Sequence, residues 1–78
     1  RVLLVDDHKL LRQSLAGLLE SQGDIEVVGS VGTADEALAT ARSRKPQVIL
    51  MDIDMPGRVC FEVARELESE MPEVRVLF

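Results

Sequence analysis

An α/β domain built on a doubly wound parallel sheet is what this sequence predicts, and three of its features carry that prediction. Short apolar runs alternate with longer stretches patterned at helical spacing. The apolar runs are near-continuous, as in strands buried on both sides, instead of alternating with polar residues. Two of them end abruptly on aspartate, "VLLVDD" over residues 2–7 and "VILMDID" over residues 48–54.

The first strand is Val2 to Val5, ended by Asp6 and Asp7, which can cap the helix after them. In that helix Leu11, Ser14, Leu15, Leu18 and Leu19 recur at helical spacing and form one apolar stripe. Gly23 stops it, glycine being the residue that tolerates a left-handed C-terminal turn. A second strand follows over Ile25 to Val28. Thr33 and Glu36 then make a T-x-x-E capping box. The helix it opens carries Ala34, Ala37, Leu38 and Ala41 on one face, small enough to lie close to a sheet. Arg42, Arg44 and Lys45 give it a basic end that suits the helix dipole, and Pro46 closes it. Gln47 to Met51 is the third strand. Cys60, Val63, Ala64, Leu67 and Met71 mark a third amphipathic helix, ended near Pro72, and Val74 to Phe78 is the fourth strand. Strands and helices in strict alternation imply parallel strands, right-handed crossovers and helices covering both faces of the sheet.

Seventy-eight residues, 46% of them hydrophobic, fit one small domain spanning residues 1–78, with no repeat and no linker. A core of this size stabilises by only roughly 3–5 kcal/mol. The single Cys60 offers no intramolecular disulfide, which fits a reducing compartment. Fourteen Asp plus Glu against nine Lys plus Arg give a net charge of -5, which argues against direct contact with nucleic acid. No apolar run approaches the roughly 20 residues of a membrane span, and no signal peptide opens the chain. A cytoplasmic location without membrane contact is expected. Both ends fall inside apolar runs, so the chain is expected to be the N-terminal portion of a longer domain. Were it to end at Phe78, the fourth strand would be an open edge and would pair with a second copy as a homodimer.

In a doubly wound sheet ligands bind at the carboxyl ends of the strands, where the strand order reverses. Asp6 and Asp7 stand at that end of the first strand and Asp52 at that end of the third. If the order is 2-1-3-4, as in flavodoxin-like folds, all three converge. Two like charges about 4 Å apart repel by about 4 kcal/mol at an effective dielectric near 20. Such a cluster needs a proton or a cation, and an oxygen-lined, water-accessible site suits Mg²⁺. A metal beside a protruding carboxylate suits phosphoryl transfer, with Asp52 as the nucleophile.

These residues resemble the receiver domain of two-component response regulators. "VLLVDDH" resembles the family's first strand and acidic pair, and "VILMDIDMPG" its phospho-acceptor strand and following loop. "VDDHKLLRQSL" with "VVGSVGTADEAL" is most similar to the NarL/FixJ subfamily, whose receivers precede a helix-turn-helix DNA-binding domain. The resemblance implies that Asp52 is phosphorylated by a sensor histidine kinase. It makes Asp7 a direct Mg²⁺ ligand and lets Asp6 hold the ion directly or through water. Asp54 would contribute its main-chain carbonyl, with Met55, Pro56 and Gly57 shaping the loop. DNA would be reached, and transcription regulated, only through an output domain absent from these residues. The chain would be a phospho-acceptor, not an enzyme turning over an external substrate.

Two departures from the family pattern stand out. Cys60 replaces a glycine, which would strain the backbone if a positive φ were needed there. The family's fifth strand, its switch Ser/Thr and its phosphate-contacting Lys fall beyond Phe78. These motivate an alternative, a pseudo-receiver that acts only as a protein interaction module. A phosphatase of the haloacid-dehalogenase kind also uses D-x-D with Mg²⁺, but its nucleophile ends the first strand. His8, in the first turn of a helix, is given no part in the chemistry. Gly29-x-x-Gly32 lacks the dinucleotide-binding pattern, and Pro56 breaks the calcium-loop pattern in "DIDMPG".

Overall fold

The computed structural model describes residues 1–52 and 60–78. Its elements run β1 (Val2–Val5), α1 (Lys9–Glu20), β2 (Val27–Val31), α2 (Ala34–Arg44), β3 (Val48–Met51), α3 (Cys60–Glu70) and β4 (Arg75–Leu77). The four strands form one parallel sheet in the order β2-β1-β3-β4. This is the flavodoxin-like order on which the convergence of Asp6, Asp7 and Asp52 depends. The chain leaves β1 toward one edge, then crosses back over β1 to lay β3 on its other side. The reversal therefore falls between β1 and β3.

Side chains alternate across the sheet, so each strand serves two faces. Leu3, Val5, Ile49 and Met51 point to one face and meet Ala37, Leu38 and Ala41 of α2 and Val63 and Leu67 of α3. The small residues foreseen on α2 are all buried, which lets that helix sit close to the strands. Thr33 caps it as expected: its hydroxyl accepts the Glu36 N–H at 3.1 Å. At the other end Lys45 takes the left-handed conformation, φ 51°, and its N–H closes on the Ala41 carbonyl. An Arg42–Glu70 ion pair, 2.6 Å between Nη2 and Oε1, ties α2 to α3 at the surface.

The other face also carries a helix, as expected, but its cover is thinner. Helix α1 lies against it with no buried residue. Leu11 and Leu18, expected in the buried stripe, are exposed, as is Leu10. Leu15 and Leu19 are half-buried. An open groove of about 410 Å³ runs between Leu11 and Leu15 of α1 and Leu4, Leu50, Leu77 and Phe78 of the sheet. The stripe is where periodicity puts it, but one helix cannot cover a face four strands wide.

The second strand also differs from expectation, beginning at Val27 and ending at Val31 instead of covering Ile25 to Val28. Pairing with β1 decides this. Leu3, Leu4 and Val5 align with Gly29, Ser30 and Val31, so two poor strand formers are drawn into the ladder. Gly29 suits the position, since a Cβ there would lie 2.9 Å from Thr40 Cγ2 and 3.0 Å from Leu3 Cδ1. Gly23 follows α1 with φ 85°, the left-handed turn expected of it.

Candidate functional site

Register brings the acids together. Val5 pairs with Met51 across β1 and β3, so both strands end level and Asp6 and Asp52 come next in each. The Asp52 N–H donates to the Val5 carbonyl at 2.9 Å, and the Asp6 N–H to the Val31 carbonyl at 3.0 Å. The ladder thus continues one residue past the strands and fixes the backbone of both aspartates.

The link from β1 to α1 sets the remaining groups. The Asp6 carboxylate accepts the His8 N–H at 2.8 Å, an Asx turn that swings the chain out of the strand. His8 takes extended backbone angles and is the N-cap of α1, but its side chain makes no capping bond. The expected capping of the helix by Asp6 or Asp7 is thus replaced by a tighter turn that leaves the carboxylates at the strand ends. The imidazole folds back instead: Nδ1 lies 2.9 Å from Asp6 Oδ1 and 3.0 Å from Asp7 Oδ1. One donor atom from each of Asp6, Asp7, His8 and Asp52 lies within 4.8 Å of the others.

Arg12, one turn into α1, completes the frame. Its Nη1 donates to the Asp6 main-chain carbonyl at 2.6 Å. The guanidinium occupies space that a side chain at residue 32 would fill, since a Cβ on Gly32 would lie 2.8 Å from that nitrogen. Periodicity could not reveal Arg12, which sits beside the apolar stripe, nor Gly32, whose role depends on a residue 20 positions away. The only signal for His8 was its adjacency to the acidic pair.

The electrostatics follow from this packing. Burial pushes the Asp6 carboxyl up, but hydrogen bonds from the His8 backbone and ring, with the nearby charges of His8 and Arg12, bring it below its ordinary value. His8 moves the other way: its hydrogen bond to Asp6 and the charges of Asp7, Asp6 and Asp52 raise its pKa above the usual 6.5. The site is open to water, with the His8 side chain 68% exposed and those of Asp7 and Asp6 31% and 14%. The carboxylates of Asp6, Asp7 and Asp52, with the exposed imidazole of His8 beside them, form a donor set that could hold a cation. Asp54, Met55, Pro56 and Gly57 lie outside the described residues, as does the side chain of Cys60.

Comparison with known proteins agrees with the fold. The sequence profile of the response regulator receiver domain matches residues 2–78. The response regulator protein VraR of Staphylococcus aureus is 39% identical over 77 residues, 99% of this chain. The chain spans 37% of the length of VraR. The signal receiver domain of the response regulator NarL from Mycobacterium tuberculosis superposes with a TM-score of 0.88 at 34% identity, over 97% of this chain and 61% of that one. A DNA-binding response regulator of the LuxR family from Staphylococcus aureus gives 0.86 at 27% identity, over 96% and 62%.

Proposed function

The chain belongs to the response regulator receiver domain family, and we propose that it accepts a phosphoryl group on Asp52 in a reaction that needs Mg²⁺. The observation that carries this reading is the meeting of Asp6, Asp7 and Asp52 at the reversal of the strand order. Asp7 and Asp6 would hold the ion, Asp7 directly, with the Asp52 carboxylate adjoining and the Asp54 carbonyl added on the family's pattern. A bound Mg²⁺ supplies positive charge against the oxygens of the incoming phosphoryl group.

The remaining work falls to the chain. The N–H bond from Asp52 to Val5 holds the end of β3 still, so the carboxylate meets phosphorus from a fixed direction. An Asp52 oxygen forms the new O–P bond while the N–P bond to a phosphohistidine breaks. The bonding pair returns to the imidazole nitrogen of the donor. The product is an acyl phosphate, and no external substrate is turned over. The phosphohistidine would belong to a sensor histidine kinase. The LuxR-family relative is a DNA-binding response regulator, which supports a DNA-binding output domain elsewhere in the protein.

The test is to incubate the intact protein with Mg²⁺ and acetyl phosphate and to weigh it. One added phosphoryl group is expected on the wild type, and none on Asp52→Ala or without the metal. An unchanged wild-type mass, or an equal gain on Asp52→Ala, would overturn the proposal and favour a pure interaction module.

A further inference from the structure

We propose that Arg12 is a positioning residue for Mg²⁺ binding: through one bond to the backbone it sets the direction in which Asp7 leaves the strand. The proposal rests on reading Asp6, Asp7 and Asp52 as the metal site, and it adds a residue from outside that cluster. The Asp6 carbonyl belongs to the peptide unit that joins Asp6 to Asp7. Such a unit is planar from one Cα to the next, so holding its oxygen restrains the Asp7 Cα as well. Arg12 Nη1 donates to that oxygen at 2.6 Å. The preceding peptide unit is held from β2, the Asp6 N–H donating to the Val31 carbonyl at 3.0 Å. Asp6 is therefore gripped from β2 on one side and from α1 on the other.

The packing around the guanidinium supports this role. Gly32, the residue after Val31, leaves room for it: a Cβ there would lie 2.8 Å from Nη1 and 3.9 Å from both Cζ and the Asp6 oxygen. Arg12 Nε is buried and has no hydrogen-bond partner among the described residues. An unpaired buried donor costs free energy, which offsets part of what the Nη1 bond contributes. A hydrocarbon side chain at residue 12 would pack without that cost, so stability by itself is a weak reason for an arginine. Its positive charge does not help either, since it repels an incoming cation. What Arg12 does supply is a donor at the carbonyl adjoining Asp7. A carboxylate aimed before the ion arrives gives up less freedom on binding, so the anchor tightens the site.

The experiment measures Mg²⁺ binding to the intact protein by calorimetry, with Gly32→Ala and Arg12→Met as variants. Gly32→Ala leaves every charge in place and displaces the end of a flexible side chain. Arg12→Met keeps an unbranched stem but removes both donor and charge. Both should weaken Mg²⁺ binding about tenfold, the scale on which groups that orient metal ligands act. The Asp6 carbonyl ¹³C signal should move upfield in both, as loss of its hydrogen bond requires. In Gly32→Ala the rate of phosphorylation by acetyl phosphate at saturating Mg²⁺ should stay within about twofold of wild type. Circular dichroism selects a temperature at which both variants are fully folded. Unchanged affinity despite a shifted carbonyl signal, or tighter binding in Arg12→Met, overturns the proposal and leaves the acidic site standing. A lower maximal rate at unchanged affinity overturns it too, since that marks a merely structural loss. Mg²⁺ binding indifferent to Asp7→Ala, or none at all, overturns the reading of the site itself.

Discussion

Asp6 does three jobs with one residue. Its N–H extends the sheet, its carbonyl anchors Arg12, and its carboxylate turns the chain at His8. The pairing with His8 has a signature in pH. Because the folded His8 pKa is raised above 6.5, chiefly by Asp6, the imidazolium stabilises the fold fully below pH 6.5. That contribution fades as pH rises through the raised value. In the metal-free protein the His8 ring should titrate above 6.5 by proton NMR, and Asp6→Asn should move the midpoint back toward it. A midpoint unmoved by Asp6→Asn would remove this pair from the account. Gly32 offers a second check. A methyl group at residue 32 displaces the Arg12 guanidinium, so Gly32→Ala should forfeit its bond to Asp6, a loss of about 1–2 kcal/mol. Combined with Arg12→Ala it should cost no more than Arg12→Ala alone, as denaturant unfolding would show.

The three helices have unequal duties. Helices α2 and α3 bury Ala34, Ala37, Leu38, Ala41, Val63, Ala64 and Leu67, whereas α1 buries nothing fully. Substitutions should report that division. Leu67, with no exposed surface, should cost about 2–5 kcal/mol when cut to alanine. Leu10, 79% exposed, should cost no more than about 0.5 kcal/mol. Urea unfolding of the two variants measures both. Similar losses would mean that α1 is packed more deeply than described. Sequence periodicity named the buried Ala34, Ala37, Leu38 and Ala41 of α2 and Val63, Ala64 and Leu67 of α3, because small and apolar residues there recur every three or four positions. It overstated α1, since a stripe records which way a helix can turn and not how much is available to cover it.

At the level of the whole molecule, the sheet joins a filled face to an open one, and the acidic cluster lies at the carboxyl ends of β1 and β3. Carboxylates held close together repel one another, so a cation that binds only the folded form should stabilise it. At about one hundred times the dissociation constant, Mg²⁺ should add about 2.7 kcal/mol. Thermal unfolding with and without Mg²⁺ measures this, and Asp7→Ala should abolish the difference. A rise in melting temperature that survives Asp7→Ala would place the ion elsewhere. Among the described residues no helix is long and apolar enough to cross a membrane.

Much of this architecture was legible in the linear chain. The alternation of strands and helices, the Thr33 cap, the Gly23 turn and the placing of Asp6, Asp7 and Asp52 at strand ends all follow from short-range sterics and local hydrogen bonding. Those forces act within a few residues, so they leave their mark on neighbouring letters. Other features were settled only when distant segments met. Register between β1 and β3 brought Asp6 and Asp52 together across 45 intervening residues. Pairing with β1 drew Gly29 and Ser30 into β2. The space above Gly32 received Arg12 from 20 positions away. Strand pairing and steric room belong to pairs of residues, and no single stretch of sequence contains both members.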